Sequence, residues 1–313
     1  MSFKTDEFED YKLVIAGLDN AGKTSALIAL RQKYNFYERV KNLKPTIRID
    51  YSSFRFLHTR VNLWDMGGQA KFRKIYIDNP IYFTETDCLY YLIDIQDELK
   101  FQESAKYLYN LLEIYRDLEY KNEIAICFNK YDPKYKQNPD FADRAAMIKN
   151  LILTQNQDMK FVFFNTSCYD ISSISRAISH SLNKILNLEE VSSELNRLVS
   201  NFYCNYAILY TDSGLIISDC YRDSMDTREF ENVISNKLND DLEFFQRLKD
   251  EQVNIDDRVT FSNESAEYVK RYVIESGQSN NVFYLGISAP PQRLNEIKIE
   301  LEKAHPILET TLQ

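Results

Sequence analysis

Residues 12–24 read Lys12-Leu-Val-Ile-Ala-Gly-Leu-Asp-Asn-Ala-Gly-Lys-Thr24, an apolar run followed by the pattern G-x-x-x-x-G-K-T. When an apolar strand passes through such a turn into a helix, successive backbone N–H groups face one point and the positive end of the helix adds to them. Gly17 and Gly22 permit backbone angles and a close approach that a Cβ would block. This context predicts a phosphate-binding loop inside an α/β fold.

We expect different residues of this loop to have different roles. We expect Lys23 to reach the β- and γ-phosphates and the Thr24 hydroxyl to hold Mg²⁺. The residues expected around the nucleotide phosphates are Asp19, Asn20, Ala21, Gly22, Lys23, Thr24 and Ser25. Glycine is sparse, with 7 in 313 residues, and four of these are Gly17, Gly22, Gly67 and Gly68. An ordinary glycine turn before a helix is the alternative, and the further motifs argue against it.

Length and composition limit the class of protein. A chain of 313 residues predicts two domains, which we place at 1–188 and 189–313. A net charge of −9 and a pI near 5.1 argue against a nucleic-acid-binding protein. Five widely spaced cysteines without a C-x-x-C pair predict buried free thiols in a reducing compartment. We expect a cytoplasmic protein without its own membrane anchor, which reaches membranes only through a partner.

The first domain alternates strand-like and helix-like stretches, which is typical of a doubly wound, mostly parallel sheet. The predicted strands are 11–16, 47–57, 60–65, 87–95, 123–128 and 159–165, six in all. The predicted helices are 23–33, 100–118, 140–155 and 172–186. The second and third strands are joined too tightly for a crossover, so we expect one antiparallel edge in the six-stranded sheet.

The second domain has a different rhythm, in the order α-β-β-α-β-β-β-α. Its predicted elements are a helix at 190–201, a hairpin at 203–211 and 215–220, a helix at 227–250, strands at 258–262, 267–275 and 282–288, and a last helix that ends at Pro306. This order predicts a smaller α+β domain. The apolar spacing Leu294, Ile297, Leu301, Ala304 fits either a seam within the chain or a dimer contact.

A second motif reads Asn62-Leu-Trp-Asp-Met-Gly-Gly-Gln69. Asp65 ends an apolar strand, where its carboxylate would contact Mg²⁺, and the Gly68 N–H would meet a γ-phosphate. Gln69 would orient an attacking water, which makes Gln69 and Lys23 the predicted catalytic residues. The alternative, an Asp-capped glycine turn, does not explain why the motif ends a strand and follows a phosphate loop.

Three more segments point to a guanine nucleotide. Asn129-Lys-Tyr-Asp132 follows a buried strand, and we expect the Asp132 carboxylate to accept from guanine while Asn129 and Lys130 brace the base. In Thr166-Ser-Cys168, the backbone N–H groups of Ser167 and Cys168 would meet the guanine carbonyl. In Lys44-Pro-Thr46, the Thr46 hydroxyl would reach Mg²⁺ when a γ-phosphate is present. The predicted metal ligands are thus Thr24, Thr46 and Asp65.

Taken together, these motifs resemble the Ras-like small GTPases over residues 11–188. Gly17-Leu-Asp-Asn-Ala-Gly-Lys-Thr24 and Trp64-Asp-Met-Gly-Gly-Gln69 resemble the Arf group, whereas the Pro45-Thr-Ile47 and Thr166-Ser-Cys-Tyr-Asp170 segments resemble the Rag/Gtr group. The resemblance to Rag proteins implies a C-terminal roadblock (longin-like) domain that mediates homo- or heterodimerisation. Rag proteins typically carry His at the position of Asn129, and residues 1–10 lack the amphipathic helix that Arf proteins use at membranes.

The resemblance implies a GTP-binding regulatory switch that slowly hydrolyses GTP to GDP and phosphate, served by a GTPase activator and an exchange factor. No arginine stands in the few residues before Thr46, so we expect intrinsic turnover on the order of 10⁻⁴ to 10⁻² s⁻¹. One alternative is a GTP-bound scaffold that does not cycle. Another is a P-loop kinase or ATPase, which Asn129-Lys-Tyr-Asp132 argues against.

Overall fold

The computed structural model describes residues 10–31, 40–41, 43–57, 59–186, 188–222, 225, 227–253, 255–262, 264–276 and 279–312. The chain forms two compact units, residues 1–177 and residues 178–313, and the division falls inside one helix. We call them the N-terminal unit and the C-terminal unit.

The N-terminal unit is built on a six-stranded sheet. Its strands are β1 (Asp10–Ala16), β2 (Ile49–Phe56), β3 (Thr59–Met66), β4 (Cys88–Asp94), β5 (Ile124–Asn129) and β6 (Phe161–Thr166), in the spatial order β2-β3-β1-β4-β5-β6. β1, β3, β4, β5 and β6 run parallel, and β2 pairs antiparallel with β3. The predicted antiparallel edge is therefore confirmed, and the carboxyl ends of the parallel strands meet along one edge of the sheet.

A helix follows each of the five parallel strands. These helices are α1 (Lys23–Arg31), α2 (Ala70–Ile77), α3 (Phe101–Asp117), α4 (Pro139–Gln155) and α5 (Ile171–Leu186). The buried residues of α2, α3 and α4 form one apolar core with alternate residues of β4 and β5, such as Leu89, Tyr91 and Ile126. The intervening residues, such as Tyr90 and Ala125, are buried as well. A sheet that is apolar on both faces is what parallel β-α-β connections require.

The C-terminal unit has a five-stranded antiparallel sheet. Its elements beyond α5 are α6 (Glu189–Phe202), β7 (Tyr206–Thr211), β8 (Ile216–Tyr221), α7 (Thr227–Asp250), β9 (Asp257–Phe261), β10 (Ala266–Ser276), β11 (Ser279–Ala289) and α8 (Leu294–Leu312). The strand order is β8-β7-β11-β10-β9. The predicted element order α-β-β-α-β-β-β-α is the order observed. Apolar residues of α7, among them Phe230, Leu238 and Leu242, pack on β7 residues Tyr206 and Ile208.

α7 carries a buried charge on the side that faces the sheet. The Asp241 side chain is fully buried, and its Oδ2 accepts from the Tyr210 hydroxyl at 2.9 Å. Its Oδ1 is paired with Arg258 and lies 3.3 Å from the Lys237 ammonium. Burial raises the pKa of Asp241, and Lys237 and Arg258 oppose that rise. The charges offset one another, which is how a carboxylate is tolerated inside a core.

The last helix differs from the prediction. We expected it to end at Pro306, but α8 continues to Leu312. Proline costs one backbone hydrogen bond inside a helix, and here buried apolar residues stand on both sides of it, Leu301 before and Leu312 after. Leu294, Ile297 and Leu301 are all buried within this chain, so their spacing forms an intramolecular seam, and the Ala304 side chain lies outside the described residues. Nowhere in the described part of the chain is a helix both long and apolar enough to cross a membrane.

Candidate functional site

The motif segments meet at one edge of the six-stranded sheet. The glycine-rich loop follows β1, the Asp65 motif ends β3, the Asn129 motif begins at the last residue of β5, and Ser167 follows β6. All four strands are parallel, so their carboxyl ends bring these loops together although they are far apart in sequence. Open α/β sheets bind their ligands at this edge.

The loop after β1 has the backbone shape of an anion nest. Gly17, Asn20 and Gly22 have positive φ angles of 143°, 61° and 84°, and α1 begins at Lys23. The first N–H groups of a helix have no partner inside it, so those of Lys23, Thr24 and the partly buried Ser25 are available to a phosphate. The loop therefore presents N–H donors and a helix N-terminus to one point.

Lys23 lies inside this loop and is 6% exposed. Its ammonium donates to the carbonyl oxygens of Gly17 at 3.1 Å and Leu18 at 2.7 Å. Burial lowers the pKa of Lys23 to about 8, Asp65 and Asp19 oppose the shift, and Arg73 adds to it. A buried cation with two neutral acceptors is ready to gain an anionic partner, because phosphate oxygens would supply the missing negative charge.

Three side chains form a small polar cluster beside Lys23. The Thr24 hydroxyl donates to Asp65 Oδ2 at 2.5 Å and lies 2.7 Å from the Thr46 hydroxyl, which is itself 3.5 Å from Asp65 Oδ2. Asp65 is 1% exposed, and its Oδ1 has no hydrogen-bond partner among the described residues. Burial raises the pKa of Asp65, opposed by the Thr24 hydrogen bond and the Lys23 charge.

This cluster suits a magnesium ion. Two hydroxyls and one carboxylate are oxygen donors of the kind that Mg²⁺ prefers. The unpartnered Asp65 Oδ1 supplies the further observation, because a buried carboxylate oxygen without a hydrogen-bond donor is satisfied by a cation. The three residues that the sequence nominated as metal ligands are thus in mutual contact.

The glycine pair after β3 lies against the phosphate loop. The Asp19 N–H donates to the Gly68 carbonyl at 3.0 Å. A Cβ on Gly68 would lie 2.3 Å from Asp19 N and from Leu18 C, so no other residue fits this approach. Gln69 is the N-cap residue of α2 in an extended conformation, and its side chain makes no capping hydrogen bond. The Gln69 amide is therefore not committed to the helix that it begins.

The Asn129 motif is tied to the phosphate loop. The Asn129 side chain is buried, donates to the Ala21 carbonyl at 2.7 Å and accepts from the Thr166 hydroxyl at 3.0 Å. A Cβ on Gly22 would lie 2.4 Å from Asn129 Nδ2, so this glycine leaves the room that the bridge occupies. Asn129 thus joins three loops of the site.

Lys130 and Asp132 complete that motif. The Lys130 ammonium pairs with Asp94 Oδ2 at 2.7 Å, and Lys130 itself has a positive φ of 63°. Asp132 is 9% exposed, and its Oδ1 accepts from the Ser167 hydroxyl at 2.6 Å. A buried carboxylate at this edge of the sheet would favour a ligand that presents N–H donors to it.

The segment after β6 differs in detail from the expectation. The Ser167 N–H donates to the Ser173 hydroxyl at 3.1 Å, so the N–H of Cys168 is the donor left for a guanine carbonyl. The Cys168 side chain is half-buried, and burial raises the pKa of its thiol. Sequence reasoning missed Asp94, which pairs with Lys130, and Gln96, which donates to Asp132. Their signal is two polar residues at the end of an otherwise apolar strand, with Asp94 as its last residue and Gln96 two positions later.

Fold and motifs define a small GTP-binding protein with a P-loop. The family model described as "Gtr1/RagA G protein conserved region" matches residues 12–238, and the chain belongs to this family. It is 32% identical over 130 residues to ADP-ribosylation factor-like protein 5 of Caenorhabditis elegans, which covers 41% of this chain and 67% of that protein. A structure of the Arl6 BBS3 small GTPase from Trypanosoma brucei with bound GppNp aligns at a TM-score of 0.46 and 20% identity, over 56% of this chain and 97% of that one. The chain is thus an Arf-related, Rag-like small GTPase.

Proposed function

We propose that this protein is a molecular switch that binds GTP, hydrolyses it slowly to GDP and phosphate, and signals or scaffolds through its C-terminal residues. The observation that carries the proposal is the arrangement of Lys23, Asp65 and Asp132 at one sheet edge. A buried cation, an unpartnered buried carboxylate oxygen and a base-reading carboxylate are what a magnesium-bound guanine nucleotide requires.

Different loops would bind different parts of the nucleotide. The N–H groups of residues 22–25 and the Lys23 ammonium would hold the phosphates, since the N–H groups of Asp19 and Ala21 already donate to the Gly68 and Leu18 carbonyls. Asp132 would accept from the two N–H groups of guanine. Adenine presents the opposite pattern at that edge, so the buried Asp132 carboxylate would be left unmatched, which costs about 1–3 kcal/mol or more. Thr24, Thr46 and Asp65 would hold Mg²⁺, which offsets charge between the β- and γ-phosphates.

Switching rests on two contacts that a γ-phosphate would alter. Thr46 contacts the magnesium cluster through its hydroxyl, and Gly68 contacts the phosphate loop through its carbonyl. A γ-phosphate would attract the Gly68 N–H and the Thr46 side chain, and its loss would release both segments. Residues on either side of these contacts would then present a different surface to partners in the GTP and GDP states.

Hydrolysis is assigned to Gln69, with Lys23 stabilising negative charge on the phosphates. The Gln69 amide is free of the α2 cap and would orient the attacking water. No arginine stands in the few residues before Thr46, so a GTPase activator would supply the missing positive charge, and an exchange factor would release GDP. Gln69→Leu should therefore bind GTP as the parent does and lose activator-stimulated hydrolysis.

The C-terminal residues 189–313 would form a roadblock (longin-like) domain separate from the GTPase domain at 1–188. Support comes from a five-stranded antiparallel sheet with helices before, within and after it, in the order that the resemblance to Rag proteins implies. This domain would mediate homo- or heterodimerisation, and the protein would act in the cytoplasm, reaching membranes only through partners. A molar mass that stays monomeric at every concentration, alone and mixed with candidate partners, would contradict the dimer.

The test of the switch is a single-turnover experiment. Purified protein is loaded with GTP, Mg²⁺ is added, and bound nucleotide is followed for hours in the parent and in Gln69→Leu. We expect slow conversion to GDP in the parent, on the order of 10⁻⁴ to 10⁻² s⁻¹. Bound GTP that never decays, even with activator-containing fractions, would instead favour a scaffold that holds GTP without cycling.

A further inference from the structure

Gln96 lies in the loop after β4, next to the Asn129 motif. Its side chain is solvent-exposed, yet its amide nitrogen donates to the Lys130 carbonyl at 2.8 Å and to Asp132 Oδ2 at 3.1 Å. One amide thus spans the two ends of the Lys130–Asp132 turn and uses both of its N–H groups to do so. None of the motifs that identified the site includes this residue.

The loop that carries Gln96 is held at several points. The Gln96 N–H donates to Asp94 Oδ1 at 3.0 Å, and the Ile95 N–H donates to the Asn129 carbonyl at 3.0 Å. From the other side, the Arg144 guanidinium donates to the Gln96 carbonyl at 3.3 Å. The side-chain amide therefore projects from a fixed backbone, which is the support that a positioning residue needs.

Ser167 and Gln96 together occupy two of the acceptor sites of the Asp132 carboxylate. An ionised carboxylate offers about four acceptor sites, two on each oxygen. The Ser167 hydroxyl takes one on Oδ1 at 2.6 Å, and Gln96 takes one on Oδ2 at 3.1 Å. One acceptor site remains on each oxygen. Guanine presents two adjacent donors, its ring N–H and its exocyclic amine, and so matches the two sites that remain.

We propose that Gln96 is a positioning residue for base recognition, which orients the Asp132 carboxylate so that one lone pair of each oxygen faces the two guanine donors. This inference rests on the proposed guanine specificity and deepens it. With Ser167 alone, the carboxylate is held on one oxygen and turns about its Cβ–Cγ bond. The second oxygen is then no longer held in a fixed orientation, and the exocyclic amine of guanine loses its hydrogen-bond acceptor.

The prediction concerns selectivity as well as affinity. Hypoxanthine has the ring N–H of guanine and lacks the exocyclic amine, so it uses only one of the two acceptor sites. Loss of the Gln96 contact should lower the affinity for GDP by about tenfold, because a hydrogen bond to a charged group contributes free energy of that order. The affinity for IDP should fall less. The preference for GDP over IDP should therefore shrink.

The experiment measures dissociation constants of GDP, IDP and ADP with Mg²⁺ for the full chain in four forms. Gln96→Ala removes the amide. Gln96→Glu keeps its shape but places a second negative charge against Asp132, and we expect it to lose more GDP affinity. Gln155→Ala is the matched control, because Gln155 is an exposed glutamine at the end of α4 in the same unit. We expect this control to keep the GDP-to-IDP ratio of the parent.

Equal weakening of GDP and IDP in Gln96→Ala would overturn the inference, because a general loosening of the turn affects both bases alike. An unchanged GDP affinity in both Gln96 variants would overturn it too. The parent protein distinguishes failure of this inference from failure of the proposed function. A parent that prefers GDP to ADP, with Gln96 variants that keep its GDP-to-IDP ratio, contradicts this inference alone. A parent without that preference contradicts the proposed function.

Discussion

The buried ammonium of Lys23 makes nucleotide affinity sensitive to pH. Burial lowers the pKa of Lys23 to about 8 in the protein without nucleotide, against a usual value of 10.5. Bound phosphates would favour the charged form and raise that pKa again. Above pH 8, binding must therefore be accompanied by proton uptake, and linkage requires the association constant to fall as pH rises.

The size of the effect follows from the charged fraction of Lys23. With a pKa of about 8, roughly nine-tenths of the molecules carry the charge at pH 7 and about one-quarter carry it at pH 8.5. The association constant of GDP should fall about fourfold over this interval. At pH 8.5, binding should take up about three-quarters of a proton. Burial raises the pKa of the Cys168 thiol above its usual value, so it opposes ionisation of this thiol in the same pH range.

Calorimetry measures both quantities. GDP with Mg²⁺ is titrated at pH 7 and 8.5 in buffers of different ionisation enthalpy, and the dependence of the heat on the buffer counts the protons. Lys23→Arg is the control, because a guanidinium stays charged to well above pH 12, so this variant should show neither the uptake nor the fourfold change. An affinity that is flat across this range in the parent, or a proton uptake that Lys23→Arg retains, would refute the assignment.

Three further changes test separate parts of the account. Asp65→Asn should abolish the effect of Mg²⁺ on GDP affinity without lowering the free energy of unfolding, because it removes a buried charge. If chelation of Mg²⁺ still lowered the GDP affinity of this variant as it does in the parent, the metal site would be contradicted. Gly68→Ala should retain GDP binding and slow GTP hydrolysis at least about tenfold, because its Cβ would lie 2.3 Å from Asp19 N. If the variant hydrolysed GTP at the parent's single-turnover rate, the close approach of Gly68 would not be needed for hydrolysis. Asp241→Ala should cost about 1.5–3 kcal/mol in urea unfolding, because Tyr210 and the partly buried Arg258 each lose a bond to a charged partner. A loss below about 1 kcal/mol would show that these contacts are not needed.

Most of the fold could be predicted from the sequence, because the apolar runs and the lengths of the connections agree with the positions of the strands in the sheet. β4 and β5 are continuously apolar and lie at the centre of a parallel sheet, and β2 and β3 are too close for a crossover and pair antiparallel. The helix α2 was missed. Its eight residues, 70–77, are rich in aromatic and β-branched side chains, and Gln69 is not a usual N-cap, so only packing of Phe72 and Tyr76 on the core defines it.

In the candidate site, too, sequence patterns predicted some residues, and others became evident only in the structure. Lys23, Asp65 and Asp132 belong to motifs with fixed spacing, so their nearness follows from the order of parallel strands. Gln96 belongs to no motif, and its contact with Asp132 depends on how two loops 36 residues apart are held. Pro306 is a similar case, because a helix-breaking residue is overruled by burial on either side, which no local pattern reveals.

The most direct test of the central claim is competition among nucleotides for the Asp132 site. Protein freed of nucleotide is equilibrated with equal amounts of GDP, ADP and XDP and Mg²⁺, and the bound nucleotide is identified for the parent and for Asp132→Asn. Xanthine carries a carbonyl where guanine carries its amine, so an asparagine N–H₂ would match it. The account predicts GDP in the parent and a shift toward XDP in Asp132→Asn. ADP in the parent, or GDP bound unchanged by Asp132→Asn, would contradict it.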